Sequence, residues 1–203
     1  MYRDFFAGWR KYRKRMKRDD VWIQKYARAK GLRVNPHAMF YTNLKIWIEE
    51  SRDLYGRQQC PCFEPSGEEG LDRKLLCPCS FALADVEAKG VCHCVLFGRG
   101  GLTDAEFAAA EKELQREYRP GLKLVGNRLD TRGQPLDPRR GLPVPDATHQ
   151  VKQALNAVSG DLLIVVDREA SVDNLGKVAA SRGFGFDRRE ASSGAYEVTL
   201  KRS

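Results

Sequence analysis

The sequence predicts a mainly α-helical domain followed by a small two-layer α+β domain. Three observations carry this prediction. Apolar residues recur at helical spacing over much of residues 1–56 and again over 104–118. Residues 119–145 are punctuated by Pro120, Pro135, Pro138, Pro143 and Pro145 and by Gly121, Gly126, Gly133 and Gly141. After them, short helical and strand patterns alternate. The expected division is a basic amphipathic N-terminal helix (1–20), a first domain (21–118), a linker and edge segment (119–145), and a second domain (146–203) that reaches back to residue 128 if the linker strands belong to it.

The first element is a helix over 1–18. Tyr2, Phe5, Trp9, Tyr12 and Met16 are spaced three, four, three and four apart, which sets them on one face opposite Arg and Lys. Packing on the domain behind is the simplest role for that stripe; docking of an anionic partner or a membrane surface are the alternatives. The pattern stays helical from Val21 to Gly56 with a break at 31–35, where Asn35-Pro36 reads as an N-cap and a residue preset for the first turn. Leu44, Trp47, Ile48 and Leu54 supply the apolar face of that helix. Residues 57–101 are rich in Gly, Pro and Cys and offer only a brief helix at 81–88. A clear helix follows from Asp104 to Tyr118, opened by a capping box of Thr103 and Glu106.

In the linker, 123–125 and 128–131 are the only strand candidates. Asp146 caps a helix with Val151, Leu155 and Val158 inside and Gly160 at its end. Residues 161–167 form a buried strand, Ser171 caps a helix that stops at Gly183, and a strand begins at 184–186. Ser192-Ser193-Gly194 turns the chain into a last strand with Tyr196, Val198 and Leu200 on one face.

Hydrophobic residues at 42% and charged residues at 31% place the chain among globular proteins, not disordered ones. No apolar run is long enough for a membrane helix, and the basic first 20 residues lack the core of a secretory signal, so a cytoplasmic protein is expected. The net charge of +8 divides into +5 over residues 1–20, −1 over 21–118 and +4 over 119–203. The balanced middle argues against a nucleic-acid reading surface, and nucleic acid is not an expected partner.

All six cysteines lie between 60 and 94, as Cys60-Pro61-Cys62, Cys77-Pro78-Cys79 and Cys92-His93-Cys94. In a cytoplasmic chain such clustering indicates metal or redox chemistry rather than a disulfide framework. Cys-x-Cys is poor spacing for zinc knuckles, and three pairs overfill a tetrahedral site. Six thiols do suit a [4Fe–4S] cluster, which takes four thiolates, with two left for a disulfide. Proline inside two of the pairs fixes the backbone between neighbouring sulfurs. A non-enzymatic protein binding zinc or an iron–sulfur cluster is the competing class. His37 and His149 sit on helices and read as surface or packed residues.

The ordered set CPC, CPC, CHC, the run Cys92-His93-Cys94-Val95-Leu96-Phe97 and the helix leading into Gln59-Cys60-Pro61-Cys62 resemble the catalytic chain of ferredoxin:thioredoxin reductase over residues 21–118. The spacers between the pairs differ from those of the plant-type chain; the order of the thiols does not. The resemblance implies that Cys60, Cys77, Cys79 and Cys92 hold a [4Fe–4S] cluster and that Cys62 and Cys94 form a redox-active disulfide. Cys62 would be the more exposed, attacking thiol, Cys94 the one beside the cluster, and His93 the residue exchanging protons with the pair. It implies a ferredoxin-like donor and a thioredoxin-like protein disulfide as substrate. A ferredoxin delivers single electrons whereas a disulfide takes two, which is the reason to set a metal centre beside the pair. From about −400 mV for a ferredoxin to about −270 mV for thioredoxin, two electrons release roughly 6 kcal/mol. The plant-type enzyme also has a small β-barrel subunit, and nothing in this chain resembles it.

Residues 128–203 resemble the TusA/SirA family of sulfur carriers in Lys152-Gln153-Ala154-Leu155, the strand 162–167, the run Glu169-Ala170-Ser171-Val172-Asp173-Asn174-Leu175, Gly183 and the closing hairpin. That family carries sulfur on a cysteine in a Cys-Pro-x-Pro turn, and the matching turn here is Val144-Pro145-Asp146-Ala147. With valine at that place, covalent sulfur carriage is excluded and docking of a sulfur-carrier or thioredoxin-like protein is the expected role. Reduction of a disulfide or persulfide on such a protein is the alternative function. The full expectation is an iron–sulfur helical domain followed by a TusA/SirA-like α+β domain.

Overall fold

A computed structural model describes residues 2–118, 121–191 and 194–202, with the side chains of residues 2–4 excepted. The expected turn at Ser192-Ser193, the opening of the linker at Arg119-Pro120 and the Tyr2 side chain lie outside the described residues. The chain divides into two compact units, Met1–Cys62 with Lys74–Gln115, and Phe63–Arg73 with Arg116–Ser203. Helices dominate the N-terminal half, and a small mixed sheet with two helices forms the C-terminal part.

The first unit opens with α1 (Tyr2–Ala29), a single helix of 28 residues. The sequence suggested a stop near residue 18, but Asp19 and Asp20 are helix-internal and partnered. Asp19 accepts hydrogen bonds from Trp22 and Arg52 at 2.9 Å each, and Asp20 accepts from Tyr41 and Lys45 at 2.6 and 2.7 Å. The aromatic stripe packs inward in part. Tyr12 and Met16 are buried with Ile46, and Phe5 and Trp47 lie against them, whereas Trp9 stays 42% exposed.

After β1 (Leu32–Val34) comes α2 (Ala38–Tyr55). It starts later than Asn-Pro suggested, with His37 at the cap position, and it ends in the left-handed Gly56. Two short helices follow: α3 (Glu69–Lys74), which no periodicity announces and which, except for Lys74, lies in the segment grouped with the second unit, and α4 (Ala82–Lys89) near its expected place. β2 (Phe97–Arg99) pairs antiparallel with β1, Val34 opposite Phe97. The first unit closes with α5 (Asp104–Glu117). The capping box at its start is present: Glu106 accepts from the Thr103 amide at 2.7 Å, and Thr103 Oγ1 accepts from the Glu106 amide at 3.3 Å.

The second unit holds a five-stranded sheet in the order β3-β4-β5-β7-β6. Its elements run β3 (Leu124–Val125), β4 (Arg128–Asp130), α6 (Ala147–Ala154), β5 (Leu162–Val166), α7 (Glu169–Arg182), β6 (Gly185–Glu190) and β7 (Tyr196–Lys201). β4 and β5 are parallel, joined through α6; the other pairings are antiparallel. Leu162, Ile164, Val166, Val198 and Leu200 point with two-residue periodicity into a core completed by Val151 and Ala154 of α6 and by Val172, Leu175 and Ala179 of α7. Asp146 caps α6 as expected, accepting from the His149 amide at 2.8 Å. That helix ends at Ala154, before Gly160, and α7 begins at Glu169, so Ser171 is not its cap. Among the described residues no helix is long and apolar enough to cross a membrane.

Candidate functional site

Three local pairings gather the cysteines of the first unit. Gln59 and Leu76 form an isolated antiparallel bridge, the Cys60 amide donates to the Leu75 carbonyl at 2.7 Å, and the Cys77 amide donates to Gln58 at 2.9 Å. Those bonds set the first CPC pair beside the second. The third pair sits on a tight loop. Val91 bridges Gly98, the Cys92 amide donates to the Phe97 carbonyl at 2.8 Å, and the Val95 amide donates back to Cys92 at 2.8 Å. The Phe97 amide also donates to Cys92 Sγ at 3.3 Å, which ties that sulfur to the backbone of the loop.

Cys60, Cys77, Cys79 and Cys92 all line one small cavity, together with His93, Cys94, Pro78, Ala82 and Phe97. The sulfurs of Cys60, Cys62 and Cys94 lie within 4.8 Å of one another, close enough to hold a metal, and those of Cys92 and Cys94 are 3.7 Å apart. The six cysteines form no disulfide with one another, and all are buried. His93 is buried as well, at 7% exposure. The cysteines and His93 are therefore neighbours: all but Cys62 line the cavity, and the Cys62 sulfur lies within 4.8 Å of those of Cys60 and Cys94. One expectation needs correction: Cys62, anticipated as the more exposed thiol of its pair, is 1% exposed against 4% for Cys94. The backbone on both sides of Cys62 is itself buried, which the spacing of cysteines could not reveal.

Electrostatics set the thiols against one another. Hydrogen bonds from Cys62, Cys79 and Cys94 hold the Cys60 thiol well below its ordinary value. Burial, and then a hydrogen bond with Cys60, push Cys62 up; burial, and then the Cys60 charge, push Cys77 up; and hydrogen bonds with Cys60, Cys62 and Cys92 and then burial raise Cys94. Packed thiols without a cation cannot all ionise. A set of buried sulfurs, walled otherwise by His93 and the apolar Pro78, Ala82 and Phe97, fits an iron–sulfur group, whose irons carry positive charge.

Several residues around the site were not found by sequence reasoning. Gln58 donates through its side chain to the Cys77 carbonyl and accepts from Arg52, which also pairs with the buried Asp19 and Glu49. Tyr26 packs against Phe97, the rings tilted by 53° with centroids 5.0 Å apart. Asn35, read as a helix cap, instead reaches across to the carbonyl that follows Cys94. No spacing in the sequence marks these contacts, because each joins residues from different elements.

A search of curated proteins found no match to this chain. A family profile described as ferredoxin thioredoxin reductase catalytic beta chain matches residues 10–119, from inside α1 to the end of α5 and across all six cysteines. With more than half its length matched, the chain belongs to the ferredoxin thioredoxin reductase catalytic beta chain family.

Proposed function

We propose that this chain is a disulfide reductase that holds a [4Fe–4S] cluster on Cys60, Cys77, Cys79 and Cys92 and works through a Cys62–Cys94 dithiol. The observation that carries the reading is the convergence of those sulfurs. The four proposed ligands line one cavity with Cys94 and His93, and Cys62 lies within 4.8 Å of both Cys60 and Cys94. When bound, the cluster supplies electrons one at a time beside the pair. A ferredoxin-like protein is the donor.

The chain's own residues perform the exchange. The reduced Cys62 thiolate attacks one sulfur of a substrate disulfide, forming a mixed disulfide and releasing the other sulfur as a thiolate. Cys94 then attacks Cys62, the mixed disulfide breaks, and the second substrate thiol leaves. The substrate gains two electrons and the enzyme pair returns to a disulfide. His93, between Cys92 and Cys94, gives the proton that a leaving thiolate needs.

The C-terminal unit supports a TusA/SirA-like reading through its element order and its mixed sheet with two helices. Val144, in the place of the carrier cysteine, is a buried valine and offers no nucleophile there; the role assigned to this unit is docking of a thioredoxin-like or sulfur-carrier protein.

Exchange of Cys62→Ser separates the roles of the sulfurs. The variant should keep its iron and sulfide and lose protein disulfide reduction, by at least about a thousandfold for loss of a nucleophile. Loss of iron together with activity would mean that ligand and nucleophile are interchanged.

A further inference from the structure

The loop that carries Cys92 and Cys94 turns on a residue in an unusual conformation. Val95 has φ 58°, the left-handed region, and it is the one such non-glycine position among the described residues. A β-branched side chain is strongly disfavoured there. Strain of this kind persists only where surrounding contacts over-determine it, and it concentrates at functional sites.

Those contacts come from Asn35, 60 residues away in sequence. The backbone continues the β1–β2 pairing by one step, the Asn35 amide donating to the Leu96 carbonyl at 3.0 Å. One hydrogen of Asn35 Nδ2 then donates to the Val95 carbonyl at 2.9 Å, and the same nitrogen donates to Glu111 Oε1 at 2.8 Å. Glu111 Oε1 also lies 2.7 Å from His37 Nδ1, and Asn35 Oδ1 accepts from the His37 amide at 2.8 Å. Asn35 is 3% exposed and Val95 2%. The amide plane is thus fixed on both its ends, with its donor aimed at the one peptide that must stay left-handed.

The position of that peptide decides where Cys94 sits. Val95 directly follows Cys94, and its amide closes the turn onto Cys92. A Val95 relaxed into the extended or right-handed region would swing the chain after Cys94 and break the return of Phe97 to Cys92, whose backbone and sulfur it touches.

We infer that Asn35 is a positioning residue for the dithiol: its bond to the Val95 carbonyl holds the left-handed turn that keeps Cys94 within reach of Cys62. The inference rests on the reading of Cys62 and Cys94 as the active pair. Loss of the bond lowers the effective concentration of one thiol at the other, so the disulfide forms less readily and its midpoint potential rises.

The test compares the wild-type holoprotein with Asn35→Ala, Val95→Gly and the double variant, by thiol-labelling titration of the pair in defined redox buffers and by thermal unfolding. Asn35→Ala should weaken the disulfide about tenfold, a shift of ~30 mV to more positive potential, and lower the melting temperature. Val95→Gly alone should stay within about twofold of wild type, because glycine adopts the conformation freely. The double variant should recover the potential to within about twofold while the melting temperature stays low, since glycine repairs the turn and not the lost bonds to Glu111 and His37. If Asn35→Ala does not fold, Asn35→Ser serves the same comparison. A double variant no better than Asn35→Ala, or an Asn35→Ala protein whose potential does not move, overturns the inference. A wild-type protein without a reducible Cys62–Cys94 pair overturns the functional reading on which it stands.

Discussion

At the residue scale, the deepest of the six thiols is the one assigned the attack. Cys62 is 1% exposed, so a substrate protein reaches it only through a local opening of the chain around it. Two residues on, Glu64 is buried in the second unit, where its Oε1 accepts from Ser171 Oγ at 2.5 Å and its amide donates to Asp146 Oδ2 at 2.9 Å. Burial, and then the charge of Asp146, push the Glu64 carboxyl up to about 8. An acid raised in the folded state binds its proton there while the unfolded chain has already lost it. Its contribution to stability is complete below about pH 4.5 and is lost as pH rises through about 8. Denaturant unfolding should therefore show wild-type stability falling by a few kcal/mol, order of magnitude, between pH 5 and pH 8.5. Glu64→Gln should flatten that slope; an unchanged slope would move its origin elsewhere. Ser171 illustrates the limit of local reading. Its place before a helical run suggested a cap, and its hydroxyl is instead committed to a carboxylate 107 residues away.

At the scale of elements, the long helices were legible because their apolar spacing is sustained. Asp146 and the Thr103–Glu106 box were legible because capping is a local bond. The three-residue strands β1 and β2 and the six-residue α3 were not, since so short a segment has no period to read. β2 is also crowded in a way only the fold reveals. A Cβ on Gly98 would stand 2.7 Å from Phe107 Cζ and 2.8 Å from Leu102 Cδ2, and Phe107 is wholly buried. Glycine is required there by close approach, not by backbone angle. Gly98→Ala should cost about 1–3 kcal/mol of stability in thermal or denaturant unfolding, and because β2 returns the chain to Cys92, it should loosen the CHC loop as well. A neutral substitution would show that α5 yields easily at this point. The left-handed Val95 was illegible for the opposite reason: its conformation is imposed by Asn35 from another element, against the preference of its own side chain.

At the scale of the whole molecule, the family match and the cysteine order agree over the first half of the chain. The sequence could show which thiols exist and in what order, and the family they belong to. It could not show that residues 63–73, directly after the CPC pair, group with the C-terminal unit, because chain paths of that kind leave no mark in composition. Within that unit Arg140 stacks on Phe63 at 4.9 Å and Asn174 donates to the Pro65 carbonyl at 2.9 Å, so the segment is an integral part of it. The chemistry nevertheless depends on one division among six sulfurs. It is tested most directly on protein purified without oxygen, by iron and sulfide analysis together with mass spectrometric mapping of every cysteine. The account predicts a brown protein with about four irons and four sulfides per chain and a disulfide between Cys62 and Cys94 that can be reduced without loss of iron. A colourless protein whose thiols hold zinc, or a cluster bound through Cys62 or Cys94 in place of Cys77 or Cys79, would contradict it.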